Sequence, residues 1–264
     1  MKMECKVIGF ISQKGGVAKT TSAVNTAIGL SMKGFRVLLV DTDPQGSATS
    51  ILGRANPDAI DKTLASIFEK EINDAIYNRA RYAVNHNEEG IDYIPGNIEL
   101  SGVEVSLVSV LGRETILKGY LNEMREYYDY IIVDCPPSLG LITINVLCAV
   151  DKVIIPTTAS YLSLKGMEQL MKTVGKIKKG FNSKLGISGI LVTMYYERTN
   201  HSKQVVELLE NNYAGKTRVF ETKIPHSIRV SEAAAEKKSI FSYEAKGKVA
   251  EAYTDFVGEV LAYV

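Results

Sequence analysis

A glycine-rich segment near the start of the chain constrains the fold most strongly. Residues 11–21 read Ile-Ser-Gln-Lys-Gly-Gly-Val-Ala-Lys-Thr-Thr and follow a short apolar run. Such a turn between a strand and a helix is typical of a phosphate-binding loop, because backbone N–H groups and the positive end of the helix dipole converge on an anion. We therefore expect the Lys19 ammonium to reach the β- and γ-phosphates of a nucleotide and the Thr20 hydroxyl to bind Mg²⁺.

The segment departs from the strict P-loop pattern G-x-x-x-x-G-K-[ST] at two positions. Gln13 replaces the first glycine and Ala18 replaces the second, while an additional lysine, Lys14, precedes the glycine pair. The Cβ of Ala18 is tolerated if its φ is negative, as at the start of a helix, and is strained if φ is positive.

Strand-like and helix-like patterns alternate along the chain. The strand candidates are 6–12, 36–41, 91–95, 130–134, 152–156 and 186–194, with a weaker one at 218–223. The helix candidates are 20–32, 114–127, 164–179, 202–212 and 248–263. Continuous Val, Ile and Leu runs predict parallel strands buried on both faces, and the alternation predicts an α/β fold with a doubly wound, mostly parallel sheet flanked by helices. Residues 54–90 are less regular, and we expect small helices there.

Composition fits one globular domain over residues 1–264. Apolar residues make up 45% of the chain, and Cys5, Cys135 and Cys148 lack the C-x-x-C spacing of a zinc site. The apolar run at the start is too short for a signal peptide, and no apolar stretch approaches the length of a transmembrane helix. We expect a cytoplasmic protein that does not bind membranes.

Three aspartates follow predicted strands. Asp41 ends the run Val37–Asp41, Asp43 follows it by two residues, and Asp134 ends a β-branched run of Walker B form. Side chains at the carboxyl ends of parallel strands face the ligand crevice. We assign Asp134 to holding Mg²⁺, Asp41 to supporting the Mg²⁺ shell, and Asp43 to positioning the attacking water. Taken alone, the Asp-Pro-Gln-Gly sequence that begins at Asp43 is also typical of a surface turn.

Three ordered motifs together resemble a known family. Lys-Gly-Gly-Val-x-Lys-Thr-Thr, Asp-x-Asp-Pro-Gln-Gly-x-Ala-Thr and Ile-Ile-Val-Asp-x-Pro-Pro-Ser look like those of the deviant Walker-A P-loop ATPases, above all the ParA/Soj branch that segregates plasmids and chromosomes. The resemblance continues in 198–200 and 224–233. Members of this branch usually carry glycine where this chain has Ala18.

The resemblance implies ATP and Mg²⁺ as cofactors and an ATP-sandwich homodimer. Lys14 would be the signature lysine that crosses the dimer interface to the partner's nucleotide, and Thr21 would contact the α-phosphate. Lys14, Lys19 and Asp43 would be the catalytic residues. The implied nucleotide-binding residues are Lys14, Gly15, Gly16, Val17, Ala18, Lys19, Thr20 and Thr21 in the loop, with Met194, Pro225 and Ser227 near the adenine.

The resemblance also implies non-specific double-stranded DNA and a ParB-like protein as partners, and association with the nucleoid. Arg198 and Arg229 would contact the DNA backbone, and Lys246 and Lys248 would extend that surface. Residues 172–264 carry 15 Lys and Arg against 10 Asp and Glu. Such an excess is more often a solvated face than a nucleic-acid footprint, and Arg229 could simply pair with Glu232 across one helical turn.

Three alternatives remain open. A MinD-like positioning ATPase, acting at a membrane or on a protein scaffold, would need an exposed amphipathic anchor. The final helical pattern instead places Val249, Ala252, Phe256, Val260 and Tyr263 on a stripe typical of a core-facing helix. Metal-cluster carriers of this fold need paired cysteines, whose absence argues against that class. Ala18 leaves room for a scaffold that binds ATP without hydrolysing it.

Overall fold

A seven-stranded sheet organises the residues that the structure, a computed structural model, describes, namely 4–53, 56–160 and 162–264. The strands are β1 (Lys6–Phe10), β2 (Val37–Asp41), β3 (Asn85–His86), β4 (Asp92–Ile94), β5 (Tyr130–Asp134), β6 (Lys152–Thr158) and β7 (Gly186–Thr193). Their order is β3-β4-β2-β5-β1-β6-β7, and every neighbouring pair is parallel except β3 with β4. The expected doubly wound, mostly parallel sheet is confirmed.

Helices cover both faces of this sheet. They are α1 (Lys19–Met32), α2 (Ser47–Ile51), α3 (Leu64–Ile72), α4 (Leu100–Ser106), α5 (Ile116–Met124), α6 (Leu141–Ala149), α7 (Leu162–Gly180), α8 (Asn200–Tyr213), α9 (Arg229–Ala235), α10 (Ile240–Tyr243) and α11 (Lys248–Tyr263). Single 3₁₀ turns lie at Pro57–Ala59 and Leu107–Ser109.

Alternate residues of the strands other than β3 supply two separate cores. Ile8 and Phe10 of β1 pack with α1, α10 and α11, whereas Val7 belongs to the core formed with α3 to α8. Successive side chains of a strand point to opposite faces, so a strand with helices on both sides is apolar at nearly every position. The continuous apolar runs in the sequence follow from this arrangement.

The register of the central strands β1, β2 and β5 places their carboxyl ends side by side. Phe10 pairs with Asp134 across β1 and β5, and Asp41 pairs with Asp134 across β2 and β5. The loop that follows β1 therefore lies beside both aspartates. This edge of the sheet carries the candidate site.

Two expectations about local structure need correction. The predicted strand at 218–223 is not a strand: it contacts β7 through an isolated bridge between Val219 and Ile190. The apolar segment Leu141–Ala149, for which no helix was expected, forms α6. Within residues 54–90, α3 and the turn at Pro57–Ala59 match the expected small helices, while residues 54 and 55 lie outside the described residues.

The last helix buries its apolar stripe. Val249, Phe256 and Val260 are buried in the core, Ala252 is partly exposed, and Tyr263 is exposed, with the Arg218 guanidinium 3.6 Å from its ring centre. Throughout the part of the chain that the structure describes, no helix is both long and apolar enough to cross a membrane.

Candidate nucleotide-binding site

The loop between β1 and α1 has the backbone geometry of an anion site. Gly16 and Ala18 both have positive φ, at 69° and 52°, and the buried side chain of Val17 lies between them. Alternation of left-handed and ordinary conformations turns successive N–H groups towards a common concavity. The first turn of α1, which contains Thr20 and no acidic residue, adds the unpaired N–H groups of a helix start.

Ala18 is the strained residue of this loop. Its φ of 52° and ψ of 33° lie in the left-handed region, so the negative φ under which a Cβ is tolerated is not found. For an L-residue this conformation costs about 1–2 kcal/mol relative to the right-handed one. Strain of this size persists only where surrounding contacts enforce it, and it is concentrated at functional sites.

Asp134 is buried without a hydrogen-bond donor. Its side chain has no exposure, and neither carboxylate oxygen has a hydrogen-bond partner among the described residues. The Nζ of Lys19, itself 8% exposed, lies 3.7 Å from Oδ1. Burial raises the pKa of Asp134, and the charge of Lys19 opposes that rise. An unsatisfied buried carboxylate beside the P-loop fits a Mg²⁺ ligand, since Mg²⁺ is bound by one or two carboxylates together with nucleotide phosphates.

Asp41, which was assigned to supporting the Mg²⁺ shell, is held by hydrogen bonds from its own chain. Its Oδ2 accepts hydrogen bonds from the backbone N–H of Thr49 at 2.8 Å and from the Thr49 hydroxyl at 2.7 Å, and Oδ1 accepts one from the N–H of Asp43 at 3.2 Å. The Thr49 hydroxyl in turn accepts from the N–H of Gly96 at 3.0 Å. Asp41 thus fastens α2 and the loop after β4 to the end of β2.

Asp43 begins a tight turn at the rim of the site. Its Oδ1 accepts from the N–H of Gln45 at 3.0 Å, and its carbonyl accepts from Gly46. Gly46 has a φ of 58°, and a Cβ there would lie 2.8 Å from the Gly96 carbonyl oxygen. The segment is a turn, but Asp43 is 7% exposed and so is not on the surface.

Lys14 lies against its own subunit in this structure. Its Nζ donates to Oγ1 of Thr158, at the end of β6, over 3.3 Å. The side chain also helps to enclose a small cavity of about 20 Å³ together with Gln13, Thr157 and Met167.

The residues expected near the adenine are brought together beside the loop. Met194 directly follows β7 and has a φ of 50°, and the bridge between Tyr195 and Pro225 places the Pro225 segment alongside it. Ser227 lies two residues further on, where its hydroxyl accepts from the N–H of Arg229 at 3.2 Å.

The four expected DNA-contacting residues are exposed, and one of them is seen in an ion pair. Arg229 donates to Glu232 at 2.9 Å, and its Nε lies 3.7 Å from a carboxylate oxygen of Glu244. The pairing with Glu232 that the helical spacing allowed is confirmed. Arg198, Lys246 and Lys248 are also exposed.

Stacking joins the segments that carry the two arginines. The rings of Tyr196 and His226 stack with their centres 4.7 Å apart, which sets the loop before α8 against the segment before α9. Arg198 follows Tyr196 by two residues and Arg229 follows His226 by three, so both side chains arise from one stacked pair of loops.

Sequence reasoning missed three threonines that hold this edge together. Thr49 binds Asp41, Thr158 binds Lys14, and Thr193 donates to the loop carbonyl of Val17 at 3.0 Å. Thr158 and Thr193 end neighbouring parallel strands. The polar residues at the carboxyl ends of the predicted strands β6 and β7 could have indicated Thr158 and Thr193 as site residues.

Comparisons with known proteins agree with this geometry. The AAA domain family matches residues 5–187. The sporulation initiation inhibitor protein Soj of Bacillus subtilis (strain 168) is 42% identical over 257 residues, covering 97% of this chain and 98% of that protein. The chromosome-partitioning ATPase Soj of Treponema pallidum (strain Nichols) is 40% identical over 257 residues and 97% of each chain.

A solved relative contains the expected ligands. Cobyrinic acid a,c-diamide synthase from Mycobacterium smegmatis, with bound ADP and magnesium, superposes with a TM-score of 0.81 at 34% identity, covering 97% of this chain and 94% of that one. The predicted cofactors, ATP and Mg²⁺, agree with the ligands of that structure and with the buried, unsatisfied Asp134. From its phosphate-binding loop, its sheet and its similarity over nearly the whole length to both Soj proteins, the chain belongs to the ParA/Soj family of P-loop ATPases.

Proposed function

We propose that the chain is a DNA-partitioning ATPase whose nucleotide state controls dimerisation and DNA binding. The observation that carries the proposal is its identity of 40% over nearly the whole length with a relative named a chromosome-partitioning ATPase. The groups at the carboxyl edge described above support the binding of Mg·ATP at this site. The roles below follow from where those groups lie.

Lys19, Thr20 and Asp134 form the phosphate and metal side of the site. Lys19 supplies positive charge for the β- and γ-phosphates, and Thr20 and Asp134 hold Mg²⁺, which neutralises charge that develops on the phosphates. Asp43, at the rim, orients the attacking water. Asp41, whose oxygens accept hydrogen bonds from Thr49 and Asp43, would support this group without binding the metal directly.

Lys14 completes the site of a second subunit in this proposal. The hydrogen bond from its Nζ to Thr158 spans 3.3 Å, and a bond of this kind contributes about 1 kcal/mol. In the dimer, the Lys14 side chain would turn from Thr158 towards the partner's nucleotide. ATP, shared between two subunits, then favours the dimer by mass action.

DNA binding by the dimer would use Arg198, Arg229, Lys246 and Lys248. Contacts to phosphates are independent of sequence and weaken steeply with salt. A ParB-like partner would stimulate hydrolysis and release the DNA, which makes DNA affinity a population switch set by the nucleotide. We place the protein in the cytoplasm, on the nucleoid.

The MinD-like alternative receives no support from α11. A membrane anchor needs an exposed apolar face, whereas Val249, Phe256 and Val260 are buried in the core.

A mobility-shift series on arbitrary duplex DNA tests the proposal. The wild type should shift DNA with Mg·ATP and fail to do so with Mg·ADP or without nucleotide. Lys14→Ala should abolish the ATP-dependent shift, and Arg229→Ala should weaken it about tenfold or more, since its loss removes one phosphate contact from each subunit of the dimer. DNA binding that does not depend on the nucleotide, or no DNA binding at all, would contradict the proposal.

Arg36→Ala is the matched control. Arg36 is a half-exposed arginine paired with Asp129 at 2.7 Å, much as Arg229 is paired with Glu232, but it lies before β2 at the opposite edge of the sheet. Its removal should leave the shift unchanged. Equal losses in both variants would mean that only overall charge matters.

A further inference from the structure

Thr193 is a buried residue that contacts the phosphate-binding loop. It ends β7 with no exposure, and its Oγ1 lies 3.0 Å from the carbonyl oxygen of Val17 and 3.1 Å from that of Thr157. The single hydroxyl hydrogen is shared between these two carbonyls, so Thr193 links the end of β6 to the loop between β1 and α1. A hydrogen bond to the Val17 carbonyl fixes the orientation of the peptide between Val17 and Ala18.

That orientation decides where the Ala18 N–H points. In a trans peptide the C=O and N–H groups point in opposite directions. With the carbonyl held towards Thr193, the N–H of Ala18 points away from β7. The N–H groups of this loop are its phosphate donors, so a reversed peptide would remove one donor and present a carbonyl oxygen instead.

Ala18 itself favours the reversed peptide. Its φ of 52° is unfavourable for a residue with a Cβ. Turning the Val17–Ala18 peptide by half a turn changes ψ of Val17 and φ of Ala18, and gives Ala18 the negative φ that a residue with a Cβ prefers. Glycine at position 18 would have no such preference, because it adopts positive and negative φ about equally.

We propose that Thr193 is a positioning residue for the nucleotide: its hydrogen bond locks the Val17–Ala18 peptide in the phosphate-binding orientation against the conformational preference of Ala18. The inference rests on ATP binding at this loop and is independent of DNA partitioning. It makes Thr193 and Ala18 energetically coupled. Without the hydroxyl, the apparent affinity for nucleotide falls in proportion to the fraction of loops that remain competent.

A double-mutant cycle measures this coupling. The dissociation constant of Mg·AMP-PNP is determined for the wild type, Thr193→Val, Ala18→Gly and the double variant, with Thr193→Ser as the variant that keeps the donor. We expect Thr193→Val to weaken binding about tenfold, and the same change in the Ala18→Gly background to weaken it about twofold or less. Thr193→Ser should stay within about threefold of the wild type, since its hydroxyl can still donate.

Steady-state kinetics and a matched control separate positioning from general damage. Thr193→Val should raise KM for ATP while leaving kcat within about twofold, since bound nucleotide selects the competent loop. Thr26 is another fully buried threonine, on α1, and its hydroxyl has no hydrogen-bond partner among the residues that the structure describes. Thr26→Val should therefore leave nucleotide affinity unchanged.

Three results would overturn the proposal. They are wild-type affinity in Thr193→Val, an equal loss from Thr193→Val in the wild-type and Ala18→Gly backgrounds, and a loss in Thr193→Ser as large as in Thr193→Val. Thermal unfolding without nucleotide checks that each variant is folded. Thr193→Ala, which also lacks the donor, replaces the valine variant if that one does not fold.

Discussion

Two buried aspartates stand side by side at the carboxyl ends of β2 and β5, and their surroundings differ. Asp41 and Asp134 are register partners, and neither has any exposure. Three donors reach the carboxylate of Asp41, whereas the part of the chain that the structure describes offers none to Asp134. The donors around Asp41 fix it within the fold, whereas the carboxylate oxygens of Asp134 are open to a ligand.

The burial of these two carboxyl groups lowers the stability of the fold but leaves a site that can bind a metal. Burial raises the pKa of both carboxyl groups, and for Asp41 the charge of Asp134 raises it further. Bound Mg²⁺ would relieve both effects. Functional sites commonly retain such unfavourable groups.

Replacement of Asp134 should have the largest effect, and the effect should be on kcat. Asp134→Asn keeps the shape of the side chain but weakens its ability to hold Mg²⁺, so kcat should fall by about 100-fold or more. Phosphate release at saturating Mg·ATP measures this. Retention of more than about a third of wild-type kcat would remove Asp134 from the metal site.

Removal of the hydrogen bond from Thr49 to Asp41 should instead lower the free energy of unfolding. Thr49→Val deletes the hydroxyl that donates to Asp41 and accepts from Gly96, and leaves buried groups unpaired. The free energy of unfolding should fall by about 2 kcal/mol, and kcat should change by less than about threefold. Urea unfolding of this variant, with Thr49→Ser as the control that keeps the hydroxyl, checks the expectation. A loss of hydrolysis comparable to that of Asp134→Asn would erase the distinction between the two aspartates.

The smallest effect should appear in the pH dependence of stability without nucleotide. A carboxyl group whose pKa is raised by folding stabilises the fold fully below its ordinary pKa, and that contribution is lost as the pH rises through the raised value. Between about pH 4 and neutrality, the wild type should therefore lose at least about 1 kcal/mol of stability relative to Asp134→Asn. Urea unfolding at several pH values tests this, and parallel curves for the two proteins would contradict it.

The sequence predicted the central fold where residue patterns are determined by local burial. β2 and β5 are apolar nearly throughout because helices cover both faces, and the pattern shows this directly. α6 was missed because its nine residues are apolar or buried on nearly all sides and so lack a helical stripe. The segment 218–223 was wrongly predicted as a strand. Its buried Phe220 is typical of a strand, but the segment pairs with β7 through an isolated bridge.

From the sequence, the site residues that belong to a recognisable motif could be predicted, and the contacts between distant segments could not. The loop with Lys19 and the strand end with Asp134 were identified from their own residues. The distinction between Asp41 and Asp134 depends on Thr49, which lies on a short helix whose packing no local pattern shows. The positive φ of Ala18 and the contact of the neighbouring Val17 carbonyl with Thr193 of β7, far along the chain, are likewise absent from any local pattern.

Metal binding tests the central contrast most directly. With Mn²⁺ in place of Mg²⁺ and AMP-PNP as nucleotide, electron paramagnetic resonance counts the bound metal in the wild type, Asp41→Asn and Asp134→Asn. The account predicts about one Mn²⁺ per chain in the wild type and in folded Asp41→Asn, and an apparent affinity at least about tenfold weaker in Asp134→Asn. Wild-type metal binding in Asp134→Asn together with its loss in Asp41→Asn would contradict it.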